Sequence, residues 1–577
     1  MKVGWTRSPI KKITDYMDTQ RLILVLALGL VLYMIWDAWQ RENAPQPVTP
    51  AEISQSTIQK THPADQSLDV PVAEAPTKQN ASTPGVPAAS KREVLQSGKR
   101  ITVDTDVFHA VIDTAGGDLR IVDLLKYPIK PHQPDNPFQL MNDTLPHLFI
   151  AQSGFANKRP ANDGTLTAAP NHYTVYQASR DNYRLGDGED SVTVDLVWTS
   201  PQGVRFTKRY RFSRGSYLIN VDMVVDNRTP QPWRGNLYQQ FQRSKEESKV
   251  GIGKIYTYTG GVTYSPEDKY QKISFGDMSD ENLNQGVTGG WEAFIQHYFL
   301  GAWVPPKDKP YTFYSRKLSE ERFVLGMTAS NELRVEPQTS QTLNNKLFVG
   351  PKLQHILADI APGLELTVDY GVLTIIAKPI YWLLEKIHGL VGNWGWAIIL
   401  LTLLIKAVFY KLSETSYKSM ANMRKVTPRM QALKERFGGD RQKLNQAMME
   451  LYKKEKINPM GGCLPILVQI PVFIALYWVL LESVELRQAP WILWIKDLSV
   501  KDPFYVLPIL MGISMFVQQR LNPTPVDPIQ AKVMMALPLV FTVFFLFFPA
   551  GLVLYWVTNN TLSIAQQWYI TRIVVKA

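Results

Sequence analysis

Apolar residues are concentrated in two parts of the 577-residue chain. One run lies at residues 22–36, several more follow residue 394, and the sequence between them is rich in polar and turn-forming residues. A helix needs about 20 apolar residues to cross a bilayer. The pattern therefore predicts a multi-pass α-helical membrane protein with a large water-soluble insert.

The first apolar run is preceded by basic residues and ends among aromatic residues. Basic residues before a hydrophobic segment place the N-terminus in the cytoplasm. A cleaved signal peptide looks similar, but we find no small-x-small cleavage site after the run. We therefore interpret residues 1–40 as an uncleaved transmembrane anchor.

Residues 41–97 differ in composition from the segments on either side. They are rich in Pro, Ala, Ser, Thr and Gln and contain no Phe, Tyr or Trp. Such a segment cannot bury enough apolar surface to fold, so we expect a disordered tether.

From residue 98 to residue 363, apolar and polar residues alternate in many short segments. Alternation with a period of two is typical of strands with one buried face, and glycines such as Gly116, Gly117 and Gly215 mark breaks between them. This part of the sequence predicts an antiparallel β-sandwich.

Residues 364–392 change to the period of a helix. Apolar side chains recur on one face, Lys378 and Lys386 lie off it, and Tyr381 and Trp382 suit the depth of lipid headgroups. The segment predicts an amphipathic helix lying in the membrane surface. A helix packed on the β-domain is the alternative.

Lys406 stands inside the apolar run of residues 394–410, with Thr402 one turn earlier on the same helical face. A lysine at the centre of a spanning helix costs about 2.5–3.5 kcal/mol on insertion scales, so it normally faces a partner or a wet cavity. Either Lys406 snorkels to a nearby interface, or it faces a polar cavity inside the membrane.

Residues 411–460 form a basic segment in which Lys and Arg outnumber Asp and Glu by twelve to five. By the positive-inside rule the segment is cytoplasmic, and Gly438-Gly439 predicts the turn of a helical hairpin. Two interpretations remain: a solvated hairpin near anionic lipid, or a docking site for a ribosome, a targeting factor or a nascent chain. The candidate docking residues are Arg424, Lys425, Arg429, Lys434, Arg436, Arg441 and Lys443.

Four further apolar runs bring the number of predicted spans to six, with both termini in the cytoplasm. The last run is polar along one half, and polar groups are costly against lipid tails. The simplest arrangement places Lys406, Thr402, Gln469 and either Asn559 or Asn560 around one wet indentation open to the cytoplasm. No predicted span carries Asp or Glu, which argues against a proton relay or an ion-coupled transporter.

The net charge and the cysteine content do not indicate a catalytic or metal-binding site. The net charge of +11 is modest for the length, so the positions of the cations matter more than their sum. Cys463 is the single cysteine, which excludes an intramolecular disulfide, and the histidines lack the spacing of metal ligands. We expect no metal, no cofactor and no direct nucleic-acid readout.

Several motifs resemble the YidC membrane insertase family, relatives of the mitochondrial Oxa and chloroplast Alb proteins. In the helical half they are NWGW at 393–396, NPMGGCLP at 458–465, QIP at 469–471, ELRQAP at 485–490 and FPAGLVLY at 548–555. In the insert, QHYF at 296–299 and FVGPK at 348–352 are similar to the periplasmic domain of Gram-negative members.

The resemblance implies a five-helix insertase core over residues 393–577 with a hydrophilic groove that is closed toward the periplasm and open to cytoplasm and lipid. The groove cation that attracts the tail of an incoming protein is by position Lys406, where most members have Arg. Arg stays charged when desolvated, whereas a buried Lys can lose its proton. Thr402, Tyr555 and Trp556 match positions tied to substrate contact, although Trp556 stands where Tyr is usual.

The implied function is the insertion and folding of newly made proteins in the bacterial inner membrane. The implied partners are nascent membrane proteins, the Sec translocon with its accessory subunits, the ribosome, a targeting factor or its receptor, and anionic lipids. The insert is expected to be a periplasmic, galactose-mutarotase-like supersandwich. A fold does not carry sugar chemistry with it, and we find no acid/base pair, so we expect no enzyme. The competing hypotheses are a small-solute channel or transporter and a carbohydrate-binding module on a membrane anchor.

Overall fold

The computed structural model describes residues 95–131, 133–156, 165–245, 257–437, 439–455, 464–522 and 528–574. Strands occupy much of the chain up to residue 351, and helices occupy most of the remainder. The predicted N-terminal anchor, all but the last three residues of the predicted tether, and Cys463 lie outside the described residues.

Within these ranges the chain forms 21 strands. They are β1 (Arg100–Asp104), β2 (Phe108–Asp113), β3 (Asp118–Pro128), β4 (Pro137–Met141), β5 (Phe149–Phe155), β6 (Gln177–Ala178), β7 (Asn182–Arg184), β8 (Ser191–Thr199), β9 (Val204–Ser213), β10 (Leu218–Asn227), β11 (Trp233–Gly235), β12 (Leu237–Ser244), β13 (Gly260–Ser265), β14 (Lys269–Ile273), β15 (Asn284–Thr288), β16 (Trp291–Ile295), β17 (Phe299–Val304), β18 (Pro310–Lys317), β19 (Arg322–Ala329), β20 (Leu333–Val335) and β21 (Thr339–Pro351).

The strands assemble into two large sheets and one small one. The first sheet has the order β15-β18-β19-β12-β5-β3-β2-β1-β7, with β4 beside β3, and the second has the order β14-β13-β16-β17-β21-β10-β9-β8-β6. β11 and β20 form the small sheet. Every pairing is antiparallel except that of β1 with β7.

The core of this domain lies between the two large sheets, where residues from both bury their apolar sides. On β10 every second residue is buried, including Ile219, Val221 and Val225. From the first sheet, Phe149 and Phe241 pack against Phe294 of the second sheet. The alternation in the sequence is therefore the alternation of buried and outward side chains, and the predicted β-rich domain is confirmed.

Ten α-helices lie among the described residues. Two short ones belong to the β-rich part, α1 (Phe275–Asp280) and α2 (Gln354–Ile360). The others are α3 (Thr374–Val391), α4 (Trp394–Val408), α5 (Tyr410–Phe437), α6 (Arg441–Lys454), α7 (Leu464–Glu482), α8 (Val506–Leu521), α9 (Pro528–Phe545) and α10 (Ala550–Tyr569), which ends in a π-helical turn, Ile570–Val574.

The C-terminal helices share a second apolar core. Ala397 and Leu401 of α4, Leu476 of α7, Met511 of α8 and Leu554 of α10 are all buried in it. The outward sides of α8 and α9 carry large apolar residues that are exposed among the described residues, including Ile509, Ile513, Leu539, Val540 and Phe544. The helical C-terminal region is thus apolar both inside and on much of its surface.

A helix can cross a bilayer alone only if it is long enough and apolar enough. Among the described helices none is both long enough and apolar enough to cross a bilayer alone, whereas α4 and α5, which meet at 68°, pass the test together. Val468–Glu482, Val506–Leu521 and Ala531–Phe545 are shorter apolar helices. The number of six spans stays a prediction.

The predicted amphipathic helix forms as α3, but its apolar residues lie on two faces. Ala377, Ile380 and Leu384 are buried in the second core, where α3 packs on α4 and α7. Ile375 and Leu390 point away from the protein and are each 87% exposed. The buried face packs on helices rather than on the β-domain, and the location of α3 in a membrane surface stays a prediction.

Glu292 is a fully buried acid on β16, opposite Thr263 and Trp303 of the neighbouring strands. Neither of its carboxyl oxygens has a hydrogen-bond partner in the described part of the chain. Burial raises the pKa of this carboxyl group well above 4.5. Because the unfolded chain releases this proton near its ordinary pKa while the folded chain keeps it, the free energy of unfolding falls as the pH rises above that value.

We therefore expect Glu292→Met to raise the free energy of unfolding by about 1–3 kcal/mol at pH 8, since it removes a buried polar group that has no partner. The gain should be smaller at pH 5. Thermal unfolding of the full-length protein in detergent at both pH values measures it, with the exposed Glu267→Met as control. An equal gain at the two pH values would contradict the buried-acid explanation.

Candidate functional site

A cavity of about 230 Å³ opens among five helices of the C-terminal region. α4, α5, α7, α8 and α10 each contribute to its wall or rim. We call it the groove, and its lining residues are Lys406, Ser413, Ser416, Tyr417, Met420, Gln469, Ile470, Phe473, Gln518, Asn522, Tyr555, Trp556, Asn559 and Ser563.

Lys406 supplies the cation of the groove. Its Nζ donates a hydrogen bond of 2.8 Å to Oγ of Ser563, whose own hydroxyl donates to the carbonyl of Asn559 at 2.7 Å. Lys406 forms no ion pair with any carboxylate of the described residues. The groove therefore holds a half-buried positive charge without a counter-ion from this part of the chain.

A second polar contact joins α7 to α10 across the groove. Gln469 Nε2 donates to Oδ1 of Asn559 at 2.8 Å, and Gln469 is also hydrogen bonded to the hydroxyl of Tyr555. The side chain of Tyr555 is buried. Gln469 thus satisfies two side chains of α10 that would be costly to bury alone.

Aromatic rings line the wall of the groove beside Gln469. Phe473 meets Trp556 edge-on with 4.6 Å between ring centroids, and Trp556 packs against Phe545 of α9 at 5.0 Å. The ring nitrogen of Trp556 has no hydrogen-bond partner in the described ranges. The wall therefore combines an apolar surface with one unused donor.

Thr402 and Asn560 were expected in the groove, but neither is among its lining residues. The Thr402 hydroxyl donates to the carbonyl of Ile398 in its own helix at 2.7 Å, a common way for a buried threonine to satisfy its polar group. Asn560 donates to Ser514 of α8 at 3.0 Å. Because neighbouring residues on a helix point about 100° apart, Asn559 faces the groove and Asn560 faces α8.

Four lining residues that the sequence interpretation missed come from the start of α5: Ser413, Ser416, Tyr417 and Met420. That interpretation assigned the segment after residue 410 to a cytoplasmic hairpin. The spacing of these residues is i, i+3, i+4 and i+7, which is one face of a helix and could have revealed a shared environment. The Tyr417 hydroxyl is hydrogen bonded to Ser563, the partner of Lys406.

The predicted hairpin consists of α5 and α6, with Asp440 capping the start of α6. Val426 and Met430 of α5 are buried against Met448 and Leu451 of α6, so these four residues hold the two arms together.

The cations of the hairpin differ in their surroundings. Arg424, Lys425 and Arg436 are exposed. Arg429 forms an ion pair with Glu455 at 2.6 Å, and Lys443 one with Asp440 at 3.2 Å. Lys434 is half-buried and has a polar partner, and the side chain of Arg441 is not among those described.

Two protein-family models match this chain. The family model described as "YidC periplasmic domain" matches residues 100–383, and the one described as "60Kd inner membrane protein" matches residues 386–577. These matches define an inner-membrane protein with a β-rich periplasmic domain.

A relative that matches along nearly the whole chain supports the same family. A protein of Methylococcus capsulatus named "Membrane protein insertase YidC" is 53% identical over 566 residues, which cover 97% of this chain and 99% of the relative. The chain belongs to the YidC family.

Two solved structures are similar in part. A structure titled as an active YidC insertase with its first transmembrane domain resolved is 18% identical, covers 83% of this chain and 94% of its own, and has a TM-score of 0.37. A galactose mutarotase related enzyme from Lactobacillus acidophilus is 9% identical, covers 43% and 97%, and has a TM-score of 0.30. Because both scores are below 0.5, the assignment depends on the family models and the sequence relative.

We expect Gln469→Leu to lower the free energy of unfolding by about 1–3 kcal/mol, because it removes the hydrogen bonds from Gln469 to the side chains of Asn559 and Tyr555. Thermal unfolding of the full-length protein in detergent measures the change. Val468→Leu, on the neighbouring residue outside the groove, is the control. Unchanged stability of Gln469→Leu would show that water or lipid replaces these contacts.

Proposed function

We propose that this chain is a membrane protein insertase that inserts newly made proteins into the inner membrane and assists their folding. The supporting observation is the cation of Lys406, which has no carboxylate partner among the described residues and lines a groove whose surrounding helices are apolar on their outer sides. The relative from Methylococcus capsulatus bears the name of an insertase. The groove receives the polar tail of the substrate, while the substrate's hydrophobic segment stays in lipid.

Electrostatic attraction explains how the groove captures a tail. A carboxylate 4 Å from an ammonium group gains roughly 1 kcal/mol in water and about 4 kcal/mol at the effective dielectric constant near a protein surface. An ammonium group has three N–H donors, and Ser563 accepts one from Lys406. The remaining donors are available to an acidic tail, and an attraction of this size also allows release.

The exposed apolar helix surfaces explain how the hydrophobic segment of the substrate reaches the lipid. Leu400, Leu403 and Leu404 of α4 and Ile509 and Ile513 of α8 are exposed. A hydrophobic segment moves along such surfaces into lipid without losing an apolar environment. Insertion then needs no chemical step, only a lower free-energy cost of moving polar groups across the hydrocarbon.

The proposed topology has six spans, both termini and the hairpin in the cytoplasm, and the β-domain in the periplasm as a supersandwich. The basic excess of residues 411–460 supports the placement of the hairpin. The groove opens to the cytoplasm, which the contribution of α5 to its lining supports. The proposed partners are the Sec translocon, the ribosome, a targeting factor and anionic lipids.

Lys406→Glu should impair the insertion of a small single-span protein with an acidic tail far more than Lys406→Arg does, because only the first change reverses the charge. The assay uses liposomes that contain this protein alone, and protease protection of the translocated tail is the readout. Empty liposomes are the control.

A substrate with a neutral tail separates capture from folding. If Lys406→Glu inserts the neutral tail normally and loses the acidic one, the charge acts on the substrate. Equal insertion of the acidic tail by Lys406→Glu and Lys406→Arg would rule out electrostatic capture.

Changing Lys434, Arg436, Arg441 and Lys443 together to Glu should weaken the cosedimentation of ribosomes with proteoliposomes at physiological salt. Reversed charges repel an anionic particle at distances within a Debye length of about 8 Å. The matched control reverses four exposed cations of the β-domain, Arg205, Arg211, Lys307 and Lys309. The same loss in both variants would mean that total charge, not the hairpin, governs binding.

A further inference from the structure

Three of the motifs that resemble the YidC family lie outside the groove and close to one another in the structure. They are QHYF at 296–299, before and into β17, FVGPK at 348–352, at the end of β21, and ELRQAP at 485–490, after α7. We propose that these motifs form a joint that fixes the end of α7 to the β-domain and so positions the α7 wall of the groove. This role rests on the proposed insertase function.

The ELRQAP segment holds the β-domain through one carbonyl group and two aromatic rings. Arg487 Nη2 and Gln488 Nε2 both donate to the carbonyl of Pro128, at 2.7 and 2.6 Å. The guanidinium of Arg487 also lies 5.6 Å from the ring centre of Phe299, which stacks on Phe138. A planar guanidinium suits both contacts at once.

The residue before this segment is inserted more deeply. Val484 is 1% exposed and belongs to the apolar core of the β-domain. The chain that leaves α7 is therefore partly a component of the β-domain core.

The QHYF motif holds the last turn of α7 directly. His297 Nε2 lies 2.9 Å from the carbonyl of Leu481. Because a carbonyl oxygen only accepts, Nε2 carries the proton of this bond. The carbonyls of a helix's last turn lack partners within the helix, so His297 satisfies a group that would otherwise need water.

Buried charges surround the same turn. Lys352 of FVGPK and Glu482 of α7 are 3% and 7% exposed and attract each other. Burial lowers the pKa of Lys352 to about 8, against the opposing attraction of Glu482 and Asp369. The backbone N–H of Lys352 donates to the carbonyl of Tyr298, which ties FVGPK to QHYF. A displacement of α7 would leave these charges buried without each other, which is costly.

α7 carries the effect of the joint to the groove. Gln469 and Phe473 lie twelve and eight residues before Leu481, or about 18 and 12 Å along a helix. Between them stands Pro471, which removes one hydrogen bond of the helix and permits bending. A helix with such a weak point needs both ends held if Gln469 is to stay within reach of Asn559.

The test is Arg487→Ala in the full-length protein. We expect insertion of the acidic-tailed substrate to fall by about tenfold or more, as the loss of a charge-assisted hydrogen bond predicts. Arg487→Lys should recover part of the activity, because it keeps a donor but loses the planar contact. Lys496→Ala, an exposed cation in the same loop, is the matched control and should insert normally.

A positioning role also predicts a change in the groove itself. Ile470→Cys in a Cys463→Ser background places a thiol on the groove wall, and its labelling rate with a charged maleimide reports the position of α7. Adding Arg487→Ala should change this rate while the thermal unfolding midpoint of the protein stays within error. If Arg487→Ala does not fold, Gln488→Leu, which removes one hydrogen bond to Pro128, is measured in the same way.

The outcomes separate the joint from the groove. Normal insertion and unchanged labelling in Arg487→Ala would overturn the joint, and so would a lowered unfolding midpoint with unchanged labelling. Lys406→Glu is measured in parallel. If it inserts normally while Arg487→Ala changes the labelling, the joint stands and electrostatic capture fails.

Discussion

The C-terminal half of the molecule depends on one constraint, which is that a charge inside an apolar helix must find polar neighbours within the protein or in trapped water. Lys406 brings such a charge into α4. Ser563 and Asn559 of α10 and Gln469 of α7 turn their polar atoms toward the same space. These polar side chains line the groove, and the apolar faces of the same helices point away from it.

Buried Lys208 and half-buried Lys406 differ in how many of their N–H donors the described part of the protein uses. Lys208 in the β-domain donates to the carbonyls of Gly116 and Ser153 at 2.7 Å and lies near that of Gly117, so its three donors are occupied. Among the described residues, Lys406 has one side-chain acceptor, Ser563. The first arrangement leaves nothing for a ligand, whereas the second leaves N–H donors that no described side chain accepts.

Periodicity was enough to predict the β-rich domain, and the glycine pair at 438–439 predicted the helical hairpin. The cost of polar groups against lipid predicted that Lys406, Gln469 and Asn559 or Asn560 lie together, and it also included Thr402, which is not among the lining residues. It could not choose between Asn559 and Asn560, because both are polar and the choice depends on the rotation of α10 against α8. It also could not place Tyr417 in the groove, because that depends on the 68° angle between α4 and α5. The pattern of apolar and polar residues along one helix does not determine the angle between two helices. The burial of Met430 inside the hairpin could not be predicted for a different reason, which is that a methionine side chain suits either a surface or a core.

The continuous helix α5 has a consequence for the thermodynamics of the whole molecule. Its first turns line the groove through Ser413, Ser416 and Tyr417, and its later turns form one arm of the basic hairpin. A ligand of the hairpin that shifts α5 must change the affinity of the groove for its occupant. By linkage, the occupant changes the affinity of the hairpin for that ligand by the same factor. An empty groove and a filled one would then present two different hairpin surfaces to a binding partner.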